Sequence, residues 1–564
     1  MSGFDLRSEN WIPMRRRSGR VEWGAPHLIV DDVQDDPIVS LASARPDFNG
    51  ALTEFLVGLL TVALHPEKSR DWGTFWQTPP SQTEFVDALA ALPPAFDLDG
   101  DGFRFLQDSS PEDLESSEHW SVESLLIGSP GTTARDASRR THVTDLFVKA
   151  GRVTRMSRST AATALLTMQT YAPEGGRGHL TSLRGGGPLT TLVDPRKDDQ
   201  LEPLWRKLWA NVETKTDLRN RSTSNANSVA DIFPWMGPTR ASDPPSAHTT
   251  TPDQVSPLQA YFGLPRRIRL EFGGPGTCDI TGTHDENTVV GFRMRAYGTK
   301  YRAWKHPLSP YYKAKGEYFP VHGKQGGVAW RDWMGIALEA PSDEVGAPAA
   351  VIQSFKRRST DLGLGIRKFR LHAFGFDTRQ NKARGWTDAA LPVFVTPGED
   401  RQQRLYTLAD ALTNATGIVS TALLSGVKTA LFYRAQDKKK ADFSHFTDQL
   451  WSATEGEFYF AIEAIARSGV QDDIADELVT HTKQGFGKVL HRNALEIFDR
   501  SCPNATFEPV KVRRRIAARY DLVMSLTGYS KLGQMLFERL EIPIPTGAWK
   551  KGGRKRSQLE AGSQ

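Results

Sequence analysis

From Thr396-Pro397-Gly398 onward the chain is patterned for one outcome: long helices, with apolar residues at helical spacing as far as about Leu540. Leu405, Leu408, Leu412, Val419 and Leu423 fall three, four or seven residues apart. Ile474, Leu478, Phe486, Val489 and Phe498 approximate the same stripe. Breaks at Lys438 to Lys440, Ser468-Gly469 and Cys502-Pro503 divide this region into four helices of about 30 residues. Helices of that length with short connections favour an up-and-down bundle. The preceding residues mix short β-prone runs, helical stretches and many Gly, Pro and Trp residues, as an irregular mixed α/β domain does. The expected fold class is therefore α+β: a mixed domain over 1–395, a four-helix bundle over 396–545, and a basic, disordered tail over 546–564. Within the first domain, 218–257 is rich in Ser, Thr, Asn and Pro and reads as a mobile surface loop. A small sheet is expected after it, where Arg267 to Phe272 alternates and Val289 to Tyr301 is strand-like.

A length of 564 residues exceeds what one core organises, and 14 Trp with 28 Phe exclude a largely disordered chain. The formal charge is only +5, from 71 basic and 66 acidic residues, so the distribution of charge matters more than its total. Cys278 and Cys502 alone build neither a disulfide framework nor a four-thiolate zinc site, which fits a reducing cytoplasm. Asp5, Arg7 and Glu9 leave the N-terminus without the apolar centre of a signal peptide. Ala51 to Leu64 is interrupted by Thr53, Glu54 and Thr61 and falls short of the roughly 20 apolar residues of a membrane span. It reads as a buried helix, and no membrane partner is expected.

Enzyme signatures are missing: no phosphate loop ending in Gly-Lys-Ser/Thr, no Gly-x-Ser-x-Gly, no His-Glu-x-x-His. No catalytic residue, cofactor or metal is assigned. An enzymatic alternative, a nuclease-like subunit with its own metal site, rests on two places. Asp97-Leu98-Asp99-Gly100-Asp101-Gly102 opens like a calcium loop with Asp108 at its twelfth position, and His284-Asp285-Glu286 groups one His with two acids. Arg104 stands where the calcium loop has an aliphatic residue, and Pro93-Pro94 disrupts the entering helix, so an acidic turn is the plainer reading.

The most unusual stretch runs from Glu174 to Pro188, with six glycines within 13 residues, Gly175 to Gly187. Glycine lets a backbone take positive φ and approach a ligand closely, and Arg177 and Arg184 offer phosphate contacts. A flexible linker fits the same composition. The β-prone Leu189 to Val193 that follows favours an anchored loop.

Asn10-Trp11-Ile12-Pro13-Met14, Phe96 to Gln107, Leu183-Arg184-Gly185-Gly186-Gly187-Pro188 through Val193, and Leu258 to Leu270 with Pro265-Arg266-Arg267 occur in an order and spacing that resembles CasA. This is the large-subunit family of the type I-E CRISPR surveillance complex Cascade. The resemblance spans nearly the whole chain, and a C-terminal helical bundle belongs to that family. It implies a non-catalytic subunit that recognises the protospacer-adjacent motif on double-stranded DNA and wedges the duplex open. It further implies that the subunit holds the displaced strand and helps recruit a helicase-nuclease, while guide pairing reads sequence. The implied partners are the DNA target, the CRISPR RNA guide, the backbone, small and 5′-handle-binding subunits, and the helicase-nuclease.

By that resemblance Gly175, Gly176, Arg177 and Gly178 occupy a loop that approaches the minor groove, whose width of about 6 Å suits bare backbone. Arg177 stands where the family has another glycine and is also read as a phosphate contact. Arg379, Gln380, Asn381 and Lys382 match a duplex-opening wedge with Gln380 at its tip. Ala296 falls at the family's lysine-finger position, so Arg293 and Arg295 are the replacements, with Arg184 as a further DNA-contacting cation. Thr281 stands where some relatives have a second cysteine near the position of Cys278. Phe147 and Lys149 match a loop that contacts the guide and neighbouring subunits, and Arg152, Arg155 and Arg158 follow at every third residue. Lys511, Arg513, Arg514 and Arg515, opening the fourth helix, and Lys550, Lys551, Arg554, Lys555 and Arg556 in the tail are candidates for holding displaced single strand. A solvated charged surface is the alternative for both.

Overall fold

The computed structural model describes residues 3–547 apart from 111–116, 129–150, 177, 196–201, 246, 325, 340–345, 367, 380–381, 397, 433–442, 469–471 and 503–508. The chain forms two compact units: Met1–Val328 with Gly335–Val395, and Ala329–Met334 with Thr396–Gln564.

The first unit is built around the helix Pro46–Leu64, which starts with proline at its first turn and buries 14 of its 19 residues. Apolar side chains on every face make it a core helix. Among the described residues it alone is long and apolar enough to cross a membrane, yet 78% of that window is buried inside the fold. Its polar interruption is put to use. Glu54 accepts from Tyr171 Oη at 2.6 Å, Thr190 Oγ1 at 2.5 Å and Arg184 Nη2 at 2.6 Å. A buried carboxylate costs several kcal/mol unless it is paired and hydrogen-bonded, and here both oxygens are engaged. A second cluster gathers tryptophans. Trp72 and Trp209 each donate the indole N–H to the other's carbonyl, at 3.0 and 2.9 Å, satisfying donors that burial would otherwise orphan. The Arg358 guanidinium lies 4.5 Å over the Trp72 ring.

Small antiparallel sheets surround this core. Ile12–Arg16 pairs with Val21–Gly24 and Ile38–Leu41; Val289–Arg295 lies between Glu118–Ser121 and Arg267–Phe272; Tyr311–Ala314 lies between Glu317–Pro320 and Gly346–Ala347. A long hairpin, Lys368–Arg379 with Lys382–Phe394, is extended on one side by Thr190–Asp194. The α+β class expected from the sequence is the one observed, and the small sheet expected after residue 257 is present.

The stretch 218–257 corrects one expectation. It holds the helix Val229–Ile232 and a 3-10 turn at Pro234–Met236, and it buries Phe233, Trp235 and Val255. The Trp235 indole donates to the Ala95 carbonyl at 2.7 Å. Three apolar anchors outweigh the polar composition of the residues between them.

The second unit is helical: Glu399–Leu431, Ser444–Arg467, Asp472–Ser501 and Pro509–Leu526, followed by a short fifth helix, Lys531–Arg539, that the sequence pattern did not separate. Gly528, at φ 86°, and the Ser530 side chain, which accepts from Gly533 N, make that extra break. Leu405, Leu408, Leu412, Val419 and Leu423 are all buried as expected. On the third helix Phe486 and Phe498 are buried as expected, joined by Val479, Leu490, Ala494 and Ile497, whereas Leu478 and Val489 are half-buried and the Ile474 side chain lies outside the described residues. Adjacent apolar residues are 100° apart on a helix, and period alone does not choose between them. The segment Ala329–Met334 completes this unit's core. Trp330 stacks 4.3 Å from Phe458 and donates to the Trp451 carbonyl at 2.6 Å, and Arg331 pairs with Asp448 at 2.6 Å.

Candidate nucleic-acid interface

The glycine-rich segment leaves the helix Arg158–Tyr171 and loops from Pro173 to Thr181; the Ser182 N–H closes it by donating to the Ala172 carbonyl at 3.2 Å. Gly175 and Gly176 are exposed at its tip, and Gly176 and Gly178 take φ of 92° and 81°. The turn is closed by the His179 N–H donating to Gly176 O at 3.1 Å, and Gly178 O accepts the Tyr297 N–H at 2.7 Å. A Cβ on Gly178 would stand 2.7 Å from the Ala296 Cβ, so the loop lies directly against the position matched to the lysine finger. Tyr297 itself has φ 61°, a left-handed conformation uncommon for a bulky residue and held here by contacts on both sides.

Arg266 supports the loop from below. Its side chain is buried, it donates to the Pro173 carbonyl, and a Cβ on Gly175 would come within 2.5 Å of its Nη1. Burial pulls the guanidinium down to about 10. His179, beside it, has its pKa lowered by burial and then by the Arg266 charge. In the sequence Arg266 is legible only as part of Pro265-Arg266-Arg267; its burial under the loop is a tertiary fact.

The other end of the same segment grips the long hairpin. Gly187 has φ 73°, and a Cβ there would stand 2.1 Å from Thr378 Cγ2 and 3.0 Å from the Phe376 carbonyl oxygen. Leu189 donates to the Val321 carbonyl at 2.8 Å, and Thr190–Asp194 then joins the sheet. The hairpin is anchored by Trp386, which stacks on Phe374 at 5.8 Å and meets Tyr171 edge-on at 5.4 Å. Its register slips between Asp377 and Thr378, leaving Arg384 as a bulge that pairs with Asp377 at 2.7 Å. Bulges bend a ribbon and re-aim what lies beyond them. Arg379 and Lys382 form the last paired positions; the tip residues Gln380 and Asn381 lie outside the described residues, as does Arg177.

Several expected contacts are spent inside the protein. Arg184 is a correction: it is buried, bonded to Glu54, Thr190 and Ser309, and not available to DNA. Arg293 is half-buried and pairs with Glu271 at 2.8 Å, and Arg295 is half-buried opposite Arg267 in the sheet. Arg152 is exposed, whereas Arg155 donates to the Pro275 carbonyl and Thr288. Phe147 and Lys149 lie outside the described residues. At the bundle, Lys511 and Arg513 are exposed, Arg514 donates to the Ala430 carbonyl, and Arg515 faces Asp499 at 3.5 Å. The cationic tail from Lys550 lies outside the described residues.

The two acidic stretches behind the enzymatic alternative converge on one arginine. Arg158 pairs with Asp99 at 3.2 Å and Asp285 at 2.9 Å, while Asp108 pairs with Arg267 at 2.6 Å. Among the described residues, no three His, Cys, Asp or Glu side chains gather as a metal site. Cys278 is buried against Thr160 Oγ1 at 3.4 Å.

One further surface is assembled only by the tertiary fold. A cleft lined by Thr181, Gly186, Arg302, Lys305, Tyr318 and Phe319 runs from the glycine-rich segment to the Tyr311–Pro320 hairpin. The signal was a basic run interleaved with aromatics: 298–324 carries Lys300, Arg302, Lys305, Lys313, Lys315 and Lys324 against Glu317 alone.

A mixed α/β unit followed by a helical bundle is the fold of solved CRISPR-associated proteins. Residues 5–496 match the family described as CRISPR-associated protein Cse1, and the chain belongs to that family. Thermus thermophilus CasA (Cse1) is 17% identical over 95% of this chain and 100% of its own, with a TM-score of 0.66. Thermobifida fusca Cse1 is 16% identical over 95% of this chain and 98% of its own, at 0.67. A chain of a CRISPR RNA-guided surveillance complex is 16% identical over 93% of this chain and 100% of its own, at 0.63. At these identities the likeness is one of fold.

Proposed function

We propose that this chain is the large subunit of a CRISPR RNA-guided Cascade complex. In this reading it recognises the protospacer-adjacent motif on double-stranded DNA and opens the duplex so that the guide RNA tests one strand. It performs no cleavage itself; a recruited helicase-nuclease does. The observation that carries the reading is the double attachment of the glycine-rich segment: positive φ at the exposed Gly176 and at the half-buried Gly178 and, nine residues on from the latter, Gly187 clamped on the hairpin beside Thr378. A loop of three glycines and Arg177 brings backbone into a groove about 6 Å wide, with Arg177 toward phosphate, but has no group to insert between bases. The hairpin whose tip is Gln380 supplies that, at a cost of about 1.4 kcal/mol per parted step. Fixed spacing between reader and wedge makes motif binding and opening successive steps of one engagement. Lys511 and Arg513 offer contacts for the displaced strand.

Two assays on the assembled complex separate the steps: duplex binding by mobility shift, and opening by permanganate reactivity of thymines next to the motif. Gly176→Asp is expected to weaken motif binding through bulk and repulsion of phosphate, and Gln380→Ala to spare binding and impair opening. Equal losses in both assays for both variants would refute the division of labour.

A further inference from the structure

The net formal charge of the whole chain is +5, and residues 298–324 reach the same value by themselves, with six Lys or Arg and one Glu. The remaining 537 residues balance to zero in sum, so this stretch and the tail from Lys550 are local concentrations of positive charge in a chain that is otherwise near neutral. That stretch is also aromatic: Tyr301, Trp304, Tyr311, Tyr312, Tyr318 and Phe319. Some of these rings serve the fold, since Trp304 and Tyr311 are buried. Two do not. The antiparallel register sets Tyr312 opposite Phe319, on one face of the hairpin, with the rings 5.8 Å apart and tilted by 30°. Both stay open to solvent, Tyr312 at 47% and Phe319 at 38%. On the opposite face Lys305 Nζ lies 3.4 Å over the Tyr318 ring, which fixes an ammonium at the edge of the cleft. Arg302 lines the same cleft, is 70% exposed and pairs at its rim with the exposed Glu317 at 3.7 Å.

Side-by-side exposed rings bordered by cations are how proteins hold single-stranded nucleic acid: bases stack on the rings and phosphates follow the charges. A duplex offers no free base face to such rings, which excludes paired DNA as the occupant. The cleft begins at Thr181 to Gly186, in the segment that joins the glycine loop to the hairpin clamp. A strand freed at that clamp meets the cleft first. We propose that Tyr312 and Phe319 form a base-stacking platform for the displaced DNA strand, with Arg302 and Lys305, in the cleft that Phe319 also lines, along its phosphates. The choice of that strand rests on the duplex-opening reading above; the single-strand chemistry does not.

The purified full chain, titrated against fluorescein-labelled oligothymidine and the same probe annealed to its complement, tests the chemistry by anisotropy. The single strand is expected to bind more tightly. Tyr312→Ala and Phe319→Ala are each expected to weaken it about ten-fold, Phe319→Trp to retain it, and Lys305→Ala to lower the salt slope by about 0.7. Because both rings are exposed, the alanine variants should melt with the wild type. Preference for the duplex, or alanine variants that bind like wild type, would overturn the platform. In the assembled complex, a displaced strand substituted with iododeoxyuridine is expected to crosslink to Tyr312 or Phe319 after target binding. A guide RNA that crosslinks there before DNA is added would assign the platform to guide RNA and overturn the proposal. Failure of Gln380→Ala to impair opening would sink the wedge reading alone, since the oligothymidine result does not depend on it.

Discussion

The two units reach stability by different means. In the bundle, apolar side chains such as Leu405, Leu412, Phe458 and Leu490 form the core, and the helices supply their own backbone hydrogen bonds. The first unit instead buries charged and polar groups and pairs them: Glu54 by Arg184, Tyr171 and Thr190, Asp108 by Arg267 and Thr239, and Arg358 through Nη1 by Asp217 and the Val212 carbonyl, with its Nε and Nη2 left without a hydrogen-bond partner and the guanidinium over Trp72. A core of the first kind tolerates apolar replacement of similar size, whereas a core of the second kind fails when one partner goes. The irregular unit is also where the exposed glycine turn, the long hairpin and the aromatic-cationic cleft lie. Buried polar networks there fix loops that have no regular secondary structure to hold them.

The largest expected effect breaks that contrast at its centre. Arg184→Ala leaves the Glu54 carboxylate buried without its cation and should cost about 3–5 kcal/mol of first-unit stability in urea unfolding. Arg184→Met with Glu54→Leu should recover much of this; a double variant as unstable as the single would show that the pair does more than satisfy itself. In the bundle, Leu490→Ala should cost about 2–5 kcal/mol, whereas Val489→Ala, one residue away and half-buried, should cost clearly less. Equal costs would contradict the difference in burial between these neighbours. Gly187→Ala forces a Cβ onto Thr378 and a left-handed φ on alanine, an expected loss of about 1–3 kcal/mol with impaired target opening. Thr378→Ser should relieve part of it.

The smallest effect is in pH. Burial holds His65 at about 4 and lowers His179, His306 and His372, all in the first unit. The unfolded chain takes up these protons near 6.5, before the folded one does. Stability from the neutral forms is therefore full above about 6.5 and declines as pH falls below it. Between pH 7 and 5 the first unit should lose about 1 kcal/mol through His65, with His179, His306 and His372 acting in the same direction, read from the fluorescence of the Trp72 and Trp209 cluster on thermal unfolding. The bundle's melting should move less over the same window.

The sequence by itself determined the helical repeat after Thr396, the burial of Ala51 to Leu64 and the glycine segment, because period, apolar run length and glycine content are local properties. The order of several short motifs also sufficed for the family. Tertiary structure alone decided which side of the third bundle helix turns inward, that Arg184 bonds to Glu54 and not to solvent, and that Phe233 and Trp235 pin a polar stretch. It alone set Tyr312 beside Phe319 in the open and put Arg266 beneath the glycine turn. Each of these depends on a partner distant in sequence, or on what fails to arrive to cover a ring. The charge of an arginine is legible in one residue; whether that charge is satisfied inside or offered outside is a property of everything packed around it.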